Sequence, residues 1–406
     1  MIIKKTTGNQ AGRLHSSSQT LNSNGLPRKI NILFIIDLLW DVGGTENHLY
    51  YLVKYLNKER FNCQIVTFDL REDFVKKIRD ENIIVHHIPV RRLYTLNAFL
   101  MAFKLRENIK KSKIDIVQTF HFKSDTYGAL ISKLSGVKHI ISSRRDIGNT
   151  KKKVHFHINK ICNRFIDQFI TVCEKVGDRI TEDENVPKSK QKTIYNGVDL
   201  KKFRPPTEKE IESYKKELGI SVNDFVVGTV AQFRPEKNYN IFLKAIKKVK
   251  GTVRNLKVIA IGSGETMEAS RKYCMDNGLN DIVFFAGQIN DIGKYISVMD
   301  VSCLVPGSNE GFSNSILEKM AMSKPLVVTD IGGNAEAVVD GENGIVIPPL
   351  DSQKLADAIV HLYKNPSIRE KMGRKSRERV EKLFTLEQMI RAYEEFYEQV
   401  MGKESV

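Results

Sequence analysis

Hydrophobic positions along this chain alternate between two rhythms. Short continuous apolar runs at 29–36, 61–69, 83–89, 114–119 and 137–143 read as strands buried on both faces. Between them the apolar residues take helical spacing. Leu49, Leu52, Val53 and Leu56 share one helix face, and 73–81 and 96–110 also read as helices. Further strands are expected at 165–172 and 192–195. After the stiff Pro205-Pro206 pair the pattern restarts, with strands at 225–231, 256–261, 282–285, 300–305, 325–329 and 345–347. Repeated strand–helix–strand units predict an α/β protein with parallel sheets, divided into domains at 29–200 and 205–383. A final segment, 384–402, carries Met389, Tyr393, Phe396 and Val400 on one stripe, flanked by Ile390 and Tyr397, and predicts an amphipathic helix. In the 96–110 helix, Phe99, Leu100 and Phe103 read first as core, with lipid contact as the alternative. Residues 1–28 are polar, lack a signal-peptide core and read as a disordered tail.

Composition narrows the class. The chain has 406 residues, 41% apolar and 28% charged, which suits two soluble globular domains. No apolar run reaches the length of a membrane span. Five scattered cysteines, without a C-x-x-C pair, argue against a disulfide framework or a zinc site and for reduced thiols in the cytoplasm. The net charge of +16 is unevenly placed. Residues 1–204 hold 37 Lys+Arg against 20 Asp+Glu, a net of +17, and residues 205–406 hold 27 against 28, a net of −1. The basic half is expected to meet something anionic, either a lipid surface or a phosphorylated acceptor. No nucleic-acid module accompanies the charge, so a nucleic-acid partner is not expected.

Candidate chemistry concentrates in residues 305–349. Glu310 and Glu318 flank the small loop Gly311-Phe312-Ser313-Asn314-Ser315, and an apolar-periodic run follows. Ser313 or Asn314 can cap the helix expected there, and a helix start beneath such a loop attracts phosphate. Two carboxylates at this spacing can accept from sugar and ribose hydroxyls, although an ordinary helix with one capping and one solvated glutamate fits as well. Other candidates lie in loops after predicted strands. They are Gly43-Gly44-Thr45-Glu46, His121, the Arg144-Arg145 pair, Arg234 with Lys237, and Gly262. Arginines and lysines on such loops suit phosphate or carboxylate, and surface charge or an Arg–Asp bridge is the competing reading.

The string from Glu310 to Pro349 closely resembles the signature of the family-four retaining glycosyltransferases, the glycogen-synthase-like and mannosyltransferase-like enzymes. E-G-F, a second glutamate eight positions on, K-P-L-V-x-T-x-x-G-G-x-x-E and D-G-x-x-G-x-x-I-P-P stand in order. The 194–199 string I-Y-N-G-V-D matches that family's domain boundary, and the resemblance spans about residues 29–402. It implies two facing Rossmann-like domains, the GT-B arrangement, with the last helix crossing back to the first domain. It also implies sugar transfer, with retention, from a UDP- or GDP-linked donor to a hydroxyl of a glycan or lipid-linked acceptor in cell-surface polysaccharide synthesis. Glu310, His121 and Lys237 are then the catalytic candidates. Gly43, Gly44, Arg234, Lys237, Gly262, Glu310, Gly311, Phe312, Ser313, Asn314 and Glu318 would bind the nucleotide sugar, and Arg144 and Arg145 the acceptor. Two departures stand out. Gln118 and Phe120 occupy the family's H-x-H positions, which leaves open whether His121 meets donor or acceptor. Gln232 replaces the family arginine, with Arg234 two places on. The chain has no D-x-D pair, so neither a metal nor another cofactor is expected. The expected location is cytoplasmic, with peripheral attachment to the inner face of the cell membrane. A nucleotide-sugar epimerase of the same fold and a non-catalytic scaffold are the rival readings.

Overall fold

The computed structural model describes residues 28–40, 43–148 and 153–402. The tail expected to be disordered therefore lies outside the described residues except for Arg28, as do Asp41, Val42, Lys151 and Lys152. The chain forms two sheets in which every strand pairing is parallel. The first contains β1 (Ile30–Ile36), β2 (Phe61–Thr67), β3 (Ile84–His87), β4 (Ile116–Phe120), β5 (His139–Arg144), β6 (Gln168–Thr171) and β7 (Gln191–Thr193), in the order β3-β2-β1-β4-β5-β6-β7. The second contains β8 (Phe225–Val230), β9 (Leu256–Ile261), β10 (Val283–Gly287), β11 (Val301–Leu304), β12 (Leu326–Thr329) and β13 (Gly344–Ile347), in the order β10-β9-β8-β11-β12-β13. Each sheet reverses its direction of growth beside its first strand, at β1/β4 and at β8/β11. Crevices at such switch points, outside the carboxyl ends of the strands, are where ligands bind in this architecture.

The apolar runs explain the layering. In β1, Ile32, Phe34 and Ile36 enter one core cluster while Leu33 and Ile35 enter another on the opposite face. Period-two side chains buried on both faces read as an unbroken hydrophobic run. The final helix, Leu386–Gly402, leaves the second domain and places Met389, Tyr393, Phe396, Tyr397 and Val400 into the first of these clusters. A further cluster joins the domains, with Val172, Cys173 and Val176 on one side and Phe312, Ile316, Leu317 and Met320 on the other. The two passages of the chain between domains are hydrogen-bonded together. Val198 N–H donates to Phe384 O at 2.9 Å, and Leu386 N–H to Val198 O at 3.0 Å.

The helix Leu96–Lys111 corrects one expectation. It buries only Ala98, Leu105 and Ile109, a narrow stripe. Phe99, Leu100 and Phe103 are 61%, 53% and 57% exposed, so they are not core. The helix is apolar over more of its circumference than the sheet beneath can cover. Among the described residues no helix is long and apolar enough to cross a membrane.

Candidate active site

The second domain supplies one wall of the cleft between the sheets. Strand β11 leads into residues 305–313, and the helix Asn314–Ala321 follows. Ser313 occupies the N-cap position with extended backbone, but its side chain makes no capping bond. The capping expected of Ser313 or Asn314 is therefore not seen. Ser315 Oγ instead donates to Val230 O at 2.7 Å, tying the helix start to the end of β8. A helix start without a side-chain cap leaves amide donors facing the loop side, where an anion is favoured. Glu310 stands at this mouth, and Lys237 Nζ donates to its Oε2 at 2.6 Å. Both side chains are mostly covered, 19% exposed for Lys237 and 11% for Glu310. Phe233 stacks on Tyr239 inside the core, with ring centroids 3.7 Å apart, while the next residue, Arg234, is exposed. Gly262 directly follows β9 and donates its N–H to Gly287 O at 2.8 Å. Glu318 lies in the second turn of the helix. Burial raises its carboxyl above the ordinary range, against the lysines Lys319 and Lys202.

The glycines of this wall have steric reasons. A Cβ on Gly311 would lie 1.9 Å from the carbonyl oxygen of Arg145, which belongs to the other domain. Gly332 has φ +56° and presses against the Glu310 carbonyl, a conformation and a contact that side chains oppose. Gly333 N–H then donates to Gly311 O at 2.7 Å, so the loop after β12 buttresses the loop after β11.

The facing wall gathers strand ends of the first domain. Gly43 precedes the helix Gly44–Tyr55, and the Glu46 carboxylate folds over it, so that a Cβ there would meet Oε2 at 1.8 Å. Gly44 lies opposite the second domain, with the place of its absent Cβ 3.8 Å from Asn314 Nδ2. His121 directly follows β4 with φ +75°, a left-handed conformation uncommon for histidine and often found at functional sites. The turn after it is held by Asp37, at the end of β1, which accepts from Lys123 N–H at 3.0 Å and Ser124 N–H at 2.7 Å. Burial raises the carboxyls of both Asp37 and Glu46, with His121 the leading opposing charge in each case. Arg234 and Arg145 also act on Glu46, which brings groups from both walls to one place.

The arginine pair divides. Arg144 does not reach an acceptor position, contrary to expectation. It is 5% exposed, and its guanidinium meets Asp125 and Glu184, each at 3.2 Å, and donates to Asn163 Oδ1 at 2.8 Å. Thr119 and Ser142 hydroxyls complete the ring around Asp125, donating at 2.6 and 2.7 Å. This is the Arg–Asp bridge left open by the sequence. Arg145 faces the domain boundary instead. Its Nη2 donates to Asn196 Oδ1 at 2.6 Å, and Asn196 Nδ2 donates to Phe312 O at 2.7 Å, a relay into the Glu310 loop.

Four positions at the cleft have contacts that the sequence does not assign. Glu46 and Glu336 stand inside the quoted motifs, and Asn196 in the boundary string, but spacing alone assigns them no contacts. In the structure Glu336 takes N–H bonds from Glu174 and Lys175 and the hydroxyl of Tyr195, all at 2.9 Å, so it caps a first-domain helix from the second domain. Tyr393 carries no local signal. It shares a 3.0 Å hydrogen bond with buried His48 through its hydroxyl and lies beside Arg145.

Together the walls present an ammonium–carboxylate pair, a helix start, a second carboxylate and a histidine at a turn that Asp37 holds through backbone N–H groups. Such a set can hold a diphosphate and the hydroxyls of a sugar nucleotide. The family model "Glycosyltransferase Family 4" matches residues 42–202, and "Glycosyl transferases group 1" matches residues 210–379. A UDP-Gal:alpha-D-GlcNAc-diphosphoundecaprenol alpha-1,3-galactosyltransferase of Escherichia coli is 27% identical, over 70% of this chain and 76% of its own. The capsular polysaccharide biosynthesis glycosyltransferase CapM of Staphylococcus aureus is 26% identical, over 86% and 94%. Among solved structures, Anabaena HepE in complex with UDP-glucose superposes with a TM-score of 0.81 at 22% identity, covering 91% of this chain and all of its own.

Proposed function

The chain belongs to the family-four glycosyltransferases of GT-B fold, and from that premise we propose that it transfers a sugar, with retention and without a metal, from a UDP- or GDP-sugar to a glycan or lipid-linked hydroxyl. The carrying observation is the Lys237–Glu310 pair, 2.6 Å apart at the uncapped start of the Asn314–Ala321 helix. Lys237, Arg234 and the amides after Gly311 neutralise the charge that builds on the departing diphosphate. Glu310 accepts from hydroxyls of the transferred sugar and Glu318 from those of the ribose. Gly43-Gly44 lets backbone approach the phosphates from the first domain. His121, at the turn that Asp37 holds, borders the reacting sugar, and the acceptor proton passes to an oxygen of the leaving phosphate on the same face.

The names of the galactosyltransferase and capsule relatives support a polysaccharide or lipid-linked acceptor, and UDP-glucose bound to HepE supports a UDP-sugar as the first donor to try. The basic first half supports work at the inner face of a cell membrane. Thermal melting with UDP-, GDP- and ADP-sugars, with and without magnesium, tests this reading. We expect one UDP- or GDP-sugar to raise the melting temperature equally in both conditions. Stabilisation that requires magnesium overturns the metal-free clamp, and no response to any nucleotide sugar overturns the donor assignment. Product NMR then reads the anomeric configuration. Release of an altered nucleotide sugar without acceptor would point to an epimerase.

A further inference from the structure

Lys319 carries a charge where packing asks for none. It is 0% exposed, on the same helix as the buried Ile316 and Met320. A methionine of similar length would fill that space without taking an ammonium out of water. Among the described residues Cys303 O is its one hydrogen-bond acceptor, at 3.3 Å, although an ammonium has three donors.

The place of this charge is specific. Ser315 stands four positions earlier on the same helix face, with its hydroxyl on Val230 O. Val230 ends β8 and Cys303 lies in β11, neighbouring strands at the switch point of the second sheet. A polar stripe, Ser315 and Lys319, thus seats the helix on these two strands. The loops that leave their carboxyl ends carry Lys237 and Glu310. The buried ammonium therefore underlies the crevice in which that pair stands.

We propose that Lys319 is a positioning residue of the donor site: without touching the ligand, its buried ammonium attracts the nucleotide diphosphate from below, and diphosphate binding takes up a proton there at alkaline pH. The proposal rests on the transfer reading given above and adds a proton to its donor-binding step. The surrounding charges give the sign. Burial brings Lys319 down to about 8, Glu318 on the same helix and Glu310 pull it back up, and Lys237 acts with burial. Cys303 beside it is a neutral thiol, pushed up by burial to about 12. Of the other elements packed on this helix, Arg377 reaches Ala321 O at 2.6 Å, at the helix's far end, and Glu336 turns to the first domain. A diphosphate above adds negative charge and raises Lys319 again. Affinity is then level below the free-state value and falls as the pH rises past it.

Calorimetric titration of the full-length protein with UDP and with GDP, in buffers of different ionisation enthalpy, counts the protons. Wild type should take up about half a proton near pH 8, and affinity should fall about two- to threefold from about pH 7.5 to 8.5. Lys319→Met should bind on the order of tenfold more weakly at about pH 7 and lose the uptake. Lys324→Met is the control. Lys324 donates to Ser297 O at 2.7 Å and is brought to about 8 by burial as well, but it stands before β12, at the opposite edge of the sheet. That variant should keep wild-type uptake. Melting curves establish that the variants fold; should Lys319→Met not fold, Lys319→Gln, which keeps a donor for Cys303 O, takes its place. A wild type that binds UDP or GDP without proton uptake overturns the proposal and leaves transfer standing. Uptake that survives in the Lys319 variant, or disappears in Lys324→Met, also overturns it. If neither nucleotide binds at any pH, the donor reading fails and the proposal falls with it.

Discussion

The two walls of the cleft are assembled differently. The second-domain wall is nearly continuous in sequence: Glu310, Gly311 and Glu318 share one loop and helix, with Lys237 brought in from the loop after β8. The first-domain wall is a collection of ends. Asp37 follows β1, Glu46 lies in the first turn of the next helix, His121 follows β4, Arg145 follows β5 and Asn196 lies beyond β7. Tyr393 arrives from the last helix. A wall made from one stretch can lose a side chain and keep its shape. A wall made from separate ends holds its shape only through the buried contacts between them, so chemistry and stability are coupled there.

The sharpest break of this contrast is at Glu310. Glu310→Ala should lower turnover on the order of a thousandfold, with the melting temperature close to wild type. Initial rates with the donor found by thermal melting check this, and wild-type rates would sink the assignment. On the facing wall, Arg144→Ala should show the opposite signature. It strands the Asp125 and Glu184 carboxylates in the interior and should cost about 3–5 kcal/mol of unfolding free energy. Urea denaturation measures it, and a loss below about 1 kcal/mol would mean that the ring around Asp125 is not structural.

A smaller effect is expected where the walls meet. Asn196→Ala cuts the relay from Arg145 to the Phe312 carbonyl and should cost about 1–3 kcal/mol. Because the relay holds the Glu310 loop, the donor KM should rise along with the loss of stability. An unchanged KM in a destabilised variant would confine Asn196 to folding.

The smallest effect concerns pH and belongs to the second domain. Lys319 is fully buried, its Nζ donates to Cys303 O at 3.3 Å, and burial pushes its pKa down from 10.5 to about 8. Between those values the unfolded chain binds a proton that the folded chain does not. Stability therefore rises with pH across that window, by at most about 1.4 kcal/mol per pH unit, and falls again as the pH drops toward 8. Below that, both states carry the proton and the contribution is constant. Lys319→Met should flatten the alkaline rise in melting curves taken from about pH 8 to 10. Lys324, lowered likewise to about 8, should leave a residual slope. An identical rise in the variant would rule out Lys319 as its source.

Legibility followed the same division. Strands such as β1 and β9 announce themselves because burial on both faces needs unbroken apolar runs. The Glu310–Glu318 loop is readable because its glycines answer close contacts and its carboxylates sit on one short segment. Phe99, Leu100 and Phe103 misled because apolar residues at helical spacing look alike whether a sheet covers them or solvent does. Arg144 and Arg145 are adjacent and chemically identical, yet successive strand-end side chains point to opposite sides, one into a buried acid ring and one to the domain boundary.

What the sequence determined by itself was the local part: parallel α/β architecture and the second-domain loop with its two glutamates. Periodicity and steric demand are short-range and are written in neighbouring residues. Tertiary structure alone decided which basic side chains are buried, which aromatics stay exposed and how Asp37, Glu46, His121, Asn196 and Tyr393 meet. Those outcomes depend on contacts between residues distant in the chain, such as His48 with Tyr393, and no local pattern encodes the geometry that brings them within 3.0 Å.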